Sequence, residues 1–136
     1  MIVFIKLTPS LKMTTNKSIL IIEDEKPMAH ALEIILKHEG FSTKTVFNGS
    51  DAVELLLIET YDLILCDLIM PKMDGYTVLA ILKERKNKTP IVVLSNLNQK
   101  VDERYAKDFG AKDFFIKSNT PLTDIVERVK EILKVI

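Results

Sequence analysis

Five side chains that could bind a metal ion and a phosphate group stand at the ends of apolar runs of the sequence. Glu23 and Asp24 follow the run SILII, and Asp67 follows LILC. The run IVVL ends in Ser95, and Lys117 follows FFI. An acid at the end of a buried run is unusual, because Asp and Glu are seldom fully buried without a partner. These five residues are the candidates for a functional site.

The chemistry of this group of residues is restrictive. Three carboxylates held close together repel each other, and their pKa values rise unless a cation lies among them. Mg²⁺ suits such a group because it binds a few carboxylates, keeps several waters and binds phosphate oxygens. A carboxylate can attack phosphorus, and the transferred oxygens need stabilising partners. The ammonium group of Lys117 and the hydroxyl of Ser95 can supply two of them.

The apolar pattern predicts the elements that position these residues. Short β-branched runs alternate with amphipathic segments of helical length, which gives five strand–helix units. Strands that are apolar throughout belong in a parallel sheet covered on both faces, and right-handed crossovers bring all their carboxyl ends to one edge. The predicted strands are Ser18–Ile22, Phe41–Phe47, Leu63–Cys66, Pro90–Ser95 and Phe114–Ile116. The predicted helices begin near Pro27, Ser50, Tyr76 and Lys100 and after a Thr120–Pro121 cap.

From residue 17 to residue 136 the sequence resembles the response-regulator receiver domains of two-component signalling. The segment Asp67–Gly75, DLIMPKMDG, reproduces the phosphoacceptor loop D-x-x-M-P-x-M-D-G of that family. The acidic pair, Ser95 and Lys117 match the family in order and approximate spacing. The resemblance implies a doubly wound, flavodoxin-like α/β fold with a five-stranded parallel sheet in the order 2-1-3-4-5. Residues 1–16 are expected to form an N-terminal extension outside that fold.

The resemblance also implies roles for individual residues. Asp67 would be the phosphoacceptor, and Lys117 would bind the phosphoryl group. Mg²⁺ would be held by Glu23, Asp24 and Asp67 and by the backbone carbonyl of Ile69. The domain would then be a regulatory module that promotes its own phosphorylation and dephosphorylation rather than an enzyme with a separate substrate.

A conformational switch and its partners are implied in the same way. Ser95 and Phe114 fall at the positions of the family's switch hydroxyl and switch aromatic residue. Phosphorylation would shift the populations of two packings of strand five and the last two helices. The expected donor is a sensor histidine kinase or a phosphotransfer protein, and the expected target is a downstream protein that the sequence does not name. A phosphorylation-dependent homodimer is a further expectation, because the last two helices carry mixed charges that could pair between protomers.

The sequence departs from the family pattern at several positions near the site. Ser118 follows Lys117 where the family commonly has a proline in a cis peptide, so a trans bond is expected here. Asn96 stands where many members carry a small residue and could crowd the phosphate. Ile69 and Leu97 are apolar where some relatives have polar residues that assist attack by water, which predicts slow loss of the phosphoryl group.

Composition and missing motifs argue against other classes of protein. The 136 residues have a formal net charge of zero, so no basic surface for nucleic acid is predicted, and no apolar run has the roughly 18 residues of a membrane helix. Cys66 is the single cysteine, which excludes an internal disulfide and is compatible with a cytoplasmic location. His30 and His38 lie on the first predicted helix, away from the acidic edge, and are not expected to bind metal.

The sequence argues against three alternative functions and leaves a fourth open. A flavodoxin or a nucleotide hydrolase would need a phosphate-binding loop that is absent. A haloacid-dehalogenase-type phosphatase would need a second aspartate at Ile69. A degenerate receiver that binds partners without phosphorylation remains the alternative.

Overall fold

The described residues of the computed structural model, 15–96 and 100–135, form one parallel sheet with helices on both faces. Its strand order is β2-β1-β3-β4-β5, which confirms the predicted doubly wound topology. The strands are β1 Ser18–Ile22, β2 Ser42–Val46, β3 Leu63–Asp67, β4 Ile91–Ser95 and β5 Asp113–Ile116. The helices are α1 Lys26–His38, α2 Gly49–Ile58, α3 Gly75–Glu84, α4 Lys100–Asp108 and α5 Leu122–Leu133. Only the last two residues of the predicted extension 1–16 are described.

The three central strands form the core of the domain. Every residue of β3 and β4 is buried, as is every residue of β1 after Ser18, while the outer strands β2 and β5 are half-buried or exposed. One apolar cluster lies between the sheet and α2, α3 and α4, and a second lies between the sheet and α1 and α5. This arrangement follows from strands that are apolar on both sides. None of the helices in the described part has the length and apolar character needed to cross a bilayer.

The end of the Asp67–Gly75 motif has a local structural explanation. Asp74 caps α3, since its Oδ1 accepts a hydrogen bond of 2.9 Å from the backbone N–H of Thr77. Gly75 lies so close to the preceding strand that a Cβ there would be 2.1 Å from the carbonyl oxygen of Asp67. Asp74 and Gly75 therefore start α3 directly against the end of β3, which holds Asp67 in place.

The loop between β3 and α3 is also bonded to α2. Lys72 and Met73 both have positive φ angles, 48° and 81°. Their carbonyl oxygens accept hydrogen bonds of 2.9 and 3.0 Å from the backbone N–H groups of Ser50 and Gly49. A Cβ at Gly49 would lie 2.2 Å from the carbonyl oxygen of Met73, so this close approach requires glycine.

One predicted helix cap differs from the structure. The last helix does begin after Pro121, as expected, but the N-cap residue is Pro121 and no side chain caps the helix. Thr120 instead ends a short 3-10 turn formed by Lys117–Asn119. Its extended backbone agrees with the preference of a residue that precedes proline. The prediction that Thr120 helps to cap this helix is therefore wrong.

Candidate functional site

The core of the candidate site is an ion pair between the ends of two strands. Asp67 is the last residue of β3, and its side chain is 5% exposed. Lys117 follows β5 directly, and its side chain is 7% exposed. The Nζ atom of Lys117 donates a hydrogen bond of 3.1 Å to Oδ2 of Asp67. The parallel sheet thus brings together two groups that are fifty residues apart in the chain.

Lys117 also contacts two further carboxylates. Its Nζ atom lies 2.7 Å from Oε1 of Glu23 and 2.8 Å from Oε1 of Glu25. One carboxylate oxygen from each of Glu23, Glu25 and Asp67 lies within 4.8 Å of the other two. One ammonium group therefore faces three carboxylates at this edge of the sheet.

The pKa values in this cluster are shifted by burial and by charge. Burial raises the pKa of Glu23 to about 7, although contact with Lys117 opposes the shift. Burial also raises the pKa of Asp67, again against the charge of Lys117. Burial by itself would lower the pKa of Lys117, but its contacts with Glu23, Glu25 and Asp67 raise it. The ammonium group of Lys117 therefore stays protonated. Its single positive charge does not fully compensate for the burial of Glu23 and Asp67 in their ionised forms.

The residues at this edge fit a hard divalent cation. Oε1 of Glu23 is buried, and Nζ of Lys117 lies 2.7 Å from it. Asp24 lines a cavity of about 340 Å³ together with Asp67 and Ile69. Carboxylate and carbonyl oxygens are the ligands that Mg²⁺ prefers. A cation there would also stabilise the ionised forms of Glu23 and Asp67, which burial disfavours.

The predicted site residues do not all line this cavity. Ser95 ends β4 and is fully buried, but it does not line the cavity, whereas its neighbour Asn96 does. Phe114 is half-buried and packs against the apolar cluster beneath α2, α3 and α4. Ile69 lines the cavity and is 53% exposed. Leu97 lies outside the described residues.

The loop after Lys117 has a trans backbone. Every peptide bond in the described residues is trans, so the expectation for the bond between Lys117 and Ser118 is confirmed. Lys117 still reaches Asp67 from this loop. The departure from the family's usual proline therefore leaves the lysine in contact with the predicted phosphoacceptor.

Glu25 is a site residue that the sequence reasoning missed. It occupies the N-cap position of α1 with an extended backbone, yet its side chain makes no capping hydrogen bond. The carboxylate turns instead toward Lys117. The signal in the sequence was the third acid of the run Glu23-Asp24-Glu25, but the pattern of apolar residues alone does not show which way an N-cap side chain turns.

Known proteins with similar sequences identify the family. The sequence profile of the response regulator receiver domain matches residues 19–130 of the chain. The chain belongs to the response regulator receiver domain family. This result confirms the resemblance found in the motif Asp67–Gly75 and in the residues at the strand ends.

Two similar proteins are bacterial regulators that are longer than this chain. The chain is 37% identical over 99 residues to the transcriptional regulatory protein DltR of Streptococcus agalactiae, an alignment that covers 73% of the chain and 44% of that protein. It is 31% identical over 116 residues to the response regulator ArlR of Staphylococcus aureus, covering 85% of the chain and 52% of that protein. The chain thus spans about half the length of these relatives.

Solved receiver structures share the fold over most of the chain. The Francisella response regulator 1452 receiver domain superposes with a TM-score of 0.82 at 27% identity, covering 88% of this chain and 98% of that one. The response regulator TrrA of Thermotoga maritima, solved in complex with Mg²⁺-BeF, superposes with a TM-score of 0.76 at 26% identity, covering 85% and 98%.

Proposed function

We propose that this receiver domain accepts a phosphoryl group on Asp67 with Mg²⁺ bound beside it, and that the donor is a sensor histidine kinase or a phosphotransfer protein. The observation that supports the proposal most is the buried carboxylate of Asp67, 3.1 Å from the ammonium group of Lys117 and open to a cavity lined by acids. A nucleophile needs this combination of access and nearby positive charge.

The chemical step is a displacement at phosphorus. An oxygen of Asp67 forms a new bond to phosphorus, and the bond from phosphorus to the donor's imidazole nitrogen breaks. The imidazole keeps the electron pair and takes a proton from solvent. Lys117 holds one phosphoryl oxygen as a point charge. Glu23, Asp24, Asp67 and the carbonyl of Ile69 would hold Mg²⁺, which would supply further charge neutralisation.

The proposed response is a repacking of α4, β5 and α5. Ser95 and Phe114 lie on adjacent strands, β4 and β5, and Val93 of β4 is the register partner of Phe114. The hydroxyl of Ser95 would approach a phosphoryl oxygen, and the ring of Phe114 would move within its apolar surroundings. These two residues are proposed as the switch, and the domain as a module that promotes its own phosphorylation and dephosphorylation.

The proposed partners are proteins in a cytoplasmic two-component pathway. DltR is named a transcriptional regulatory protein, but the downstream partner of this chain is proposed only as a protein, without direct nucleic-acid binding or membrane insertion by the domain. A phosphorylation-dependent homodimer through the charged faces of α4 and α5 is part of the proposal. In the protomer, Arg128 of α5 pairs with Asp113 at 2.7 Å and with Glu131 at 3.3 Å, so a dimer would have to exchange such pairs.

Intact-mass measurement tests the phosphoacceptor directly. The protein is incubated with acetyl phosphate and Mg²⁺, and the wild type is compared with Asp67→Asn. We expect one phosphate on the wild type and none on the variant. Asp108→Asn, at an exposed position on α4, is the matched control and should be phosphorylated like the wild type. No adduct on the wild type would favour the degenerate receiver, and an adduct on Asp67→Asn would place the phosphate elsewhere.

A further inference from the structure

Among the partners of Lys117, Glu25 differs because its side chain can move away from Lys117 into solvent. The side chain of Glu25 is 55% exposed, whereas those of Glu23 and Asp67 are 2% and 5% exposed. Its backbone is fixed, since its N–H donates to Oε2 of Glu23 at 3.0 Å and its carbonyl accepts from Ala29 at 2.9 Å. The carboxylate of Glu25 can therefore rotate into solvent without moving the chain, and a half-exposed ion pair of this kind is weak.

The charge at this edge makes Glu25 a competitor for Lys117. When fully ionised, Glu23, Asp24, Glu25 and Asp67 contribute four negative charges against the one positive charge of Lys117, a net charge of minus three. A phosphoryl group brings further negative oxygens that need the same ammonium group. Because Glu25 already holds that group at 2.8 Å, it occupies a contact that the phosphoryl oxygens require.

The position of Glu25 on the surface also supports competition with the phosphoryl group for Lys117. Glu25, Lys117 and Asn96 line both the cavity over Asp67 and a neighbouring groove of about 430 Å³. The Glu25–Lys117 pair thus lies at the boundary between the two spaces. Glu25 therefore lines the cavity through which a donor would reach Asp67.

We propose that Glu25 is a placeholder for the phosphoryl group. It holds Lys117 before transfer, turns out to solvent when the phosphoryl oxygens arrive, and so slows phosphorylation of Asp67 by anionic donors. The proposal rests on Asp67 being the phosphoacceptor. Glu25 acts through Lys117 and is a positioning residue, because it does not itself contact the reacting atoms.

The test compares rates of phosphorylation by acetyl phosphate at saturating Mg²⁺, followed by intact mass. We expect Glu25→Gln to react about threefold to tenfold faster than the wild type, the effect of removing one half-exposed charge near the anionic donor. Glu25→Asp keeps the charge but is too short for the same contact, so its rate should fall between the two. Glu54→Gln, an equal charge change at an exposed position on α2, should react like the wild type.

Salt dependence separates this role from a merely structural one. Added salt screens repulsion between like charges, so it should accelerate the wild type more than Glu25→Gln. Equal rates and equal salt dependence for Glu25→Gln and Glu54→Gln would overturn the placeholder role. A slower Glu25→Gln with weaker Mg²⁺ binding by calorimetry would also overturn it and make Glu25 a metal ligand.

The two proposals fail in distinguishable ways. If the wild type gains phosphate on Asp67 but the Glu25 variants react at its rate, only the placeholder role is wrong. If the wild type gains no phosphate, or gains it in Asp67→Asn, the phosphoacceptor assignment fails and the placeholder role fails with it.

Discussion

Replacing Glu23 by glutamine is expected to stabilise the metal-free protein at neutral and higher pH. The folded-state pKa of Glu23 is about 7, against an ordinary value of 4.5, because burial disfavours its charged form. A raised carboxyl pKa contributes stability that is complete below the ordinary pKa and is lost as the pH rises through the folded value. The wild type should therefore weaken from about pH 4.5 to about pH 7, while Glu23→Gln, which stays neutral, should not.

The size of the effect follows from the two pKa values. Linkage predicts that Glu23 costs the wild type about 2 kcal/mol of unfolding free energy between about pH 5.5 and about pH 8. The side chain is almost fully buried, so solvent screens this cost little. The pKa of Asp67 is raised in the same direction, and Asp67 shares Lys117 with Glu23, so the difference between the two proteins reports Glu23 together with its influence on Asp67.

Urea unfolding with a chelator present measures this difference at the two pH values. We expect the variant to be more stable than the wild type at both pH values, and its advantage to be about 2 kcal/mol larger at about pH 8 than at about pH 5.5. A difference that is the same at both pH values would refute the claim that burial of an ionising Glu23 opposes folding.

Mg²⁺ is expected to raise the thermal unfolding midpoint of the wild type more at about pH 8 than at about pH 5.5, because protons and the cation compete for the same carboxylates; a shift independent of pH would contradict this. Gly75→Ala is expected to lose more than about 2 kcal/mol in urea unfolding, since its Cβ would lie 2.1 Å from the carbonyl oxygen of Asp67. Gly110→Ala, which meets no atom within 4 Å but has a φ of 93°, should lose only about 1 kcal/mol, and equal losses would count against the close-contact argument. Ile69→Asn is expected to shorten the lifetime of the phosphate once acetyl phosphate is removed, because the exposed apolar side chain over the cavity cannot orient water; an unchanged lifetime would reject that role.

The sheet and its functional edge are predictable from the sequence because burial dominates them. The runs of β1, β3 and β4 are apolar throughout, and only a sheet covered on both faces buries them completely. Parallel crossovers then place Asp67 and Lys117 at one edge, and the structure confirms their contact. The strand order came from the family resemblance, since periodicity does not determine which strands are neighbours.

Side-chain direction at the ends of elements is what the sequence leaves open. Glu25 could have capped α1 or turned to solvent, and only the position of Lys117 above the end of β3 draws it into the cluster. Thr120 is a good capping residue by type, but the 3-10 turn before it and Pro121 after it set its backbone. The direction of Glu25 depends on a residue distant in sequence, and that of Thr120 depends on backbone geometry. The spacing of apolar residues in the sequence indicates neither.

The hydrogen bonds that tie the β3–α3 loop to α2 limit how the domain can be engineered. Adding or deleting a residue between Leu68 and Asp74 would move the carbonyl oxygens of Lys72 and Met73 away from their donors on α2. A reporter peptide or a permuted terminus placed there would disturb both α2, which is hydrogen-bonded to the loop, and α3, which follows it. The turn after α3, where Lys86 and Lys88 are exposed, is the better insertion point for a probe of this domain.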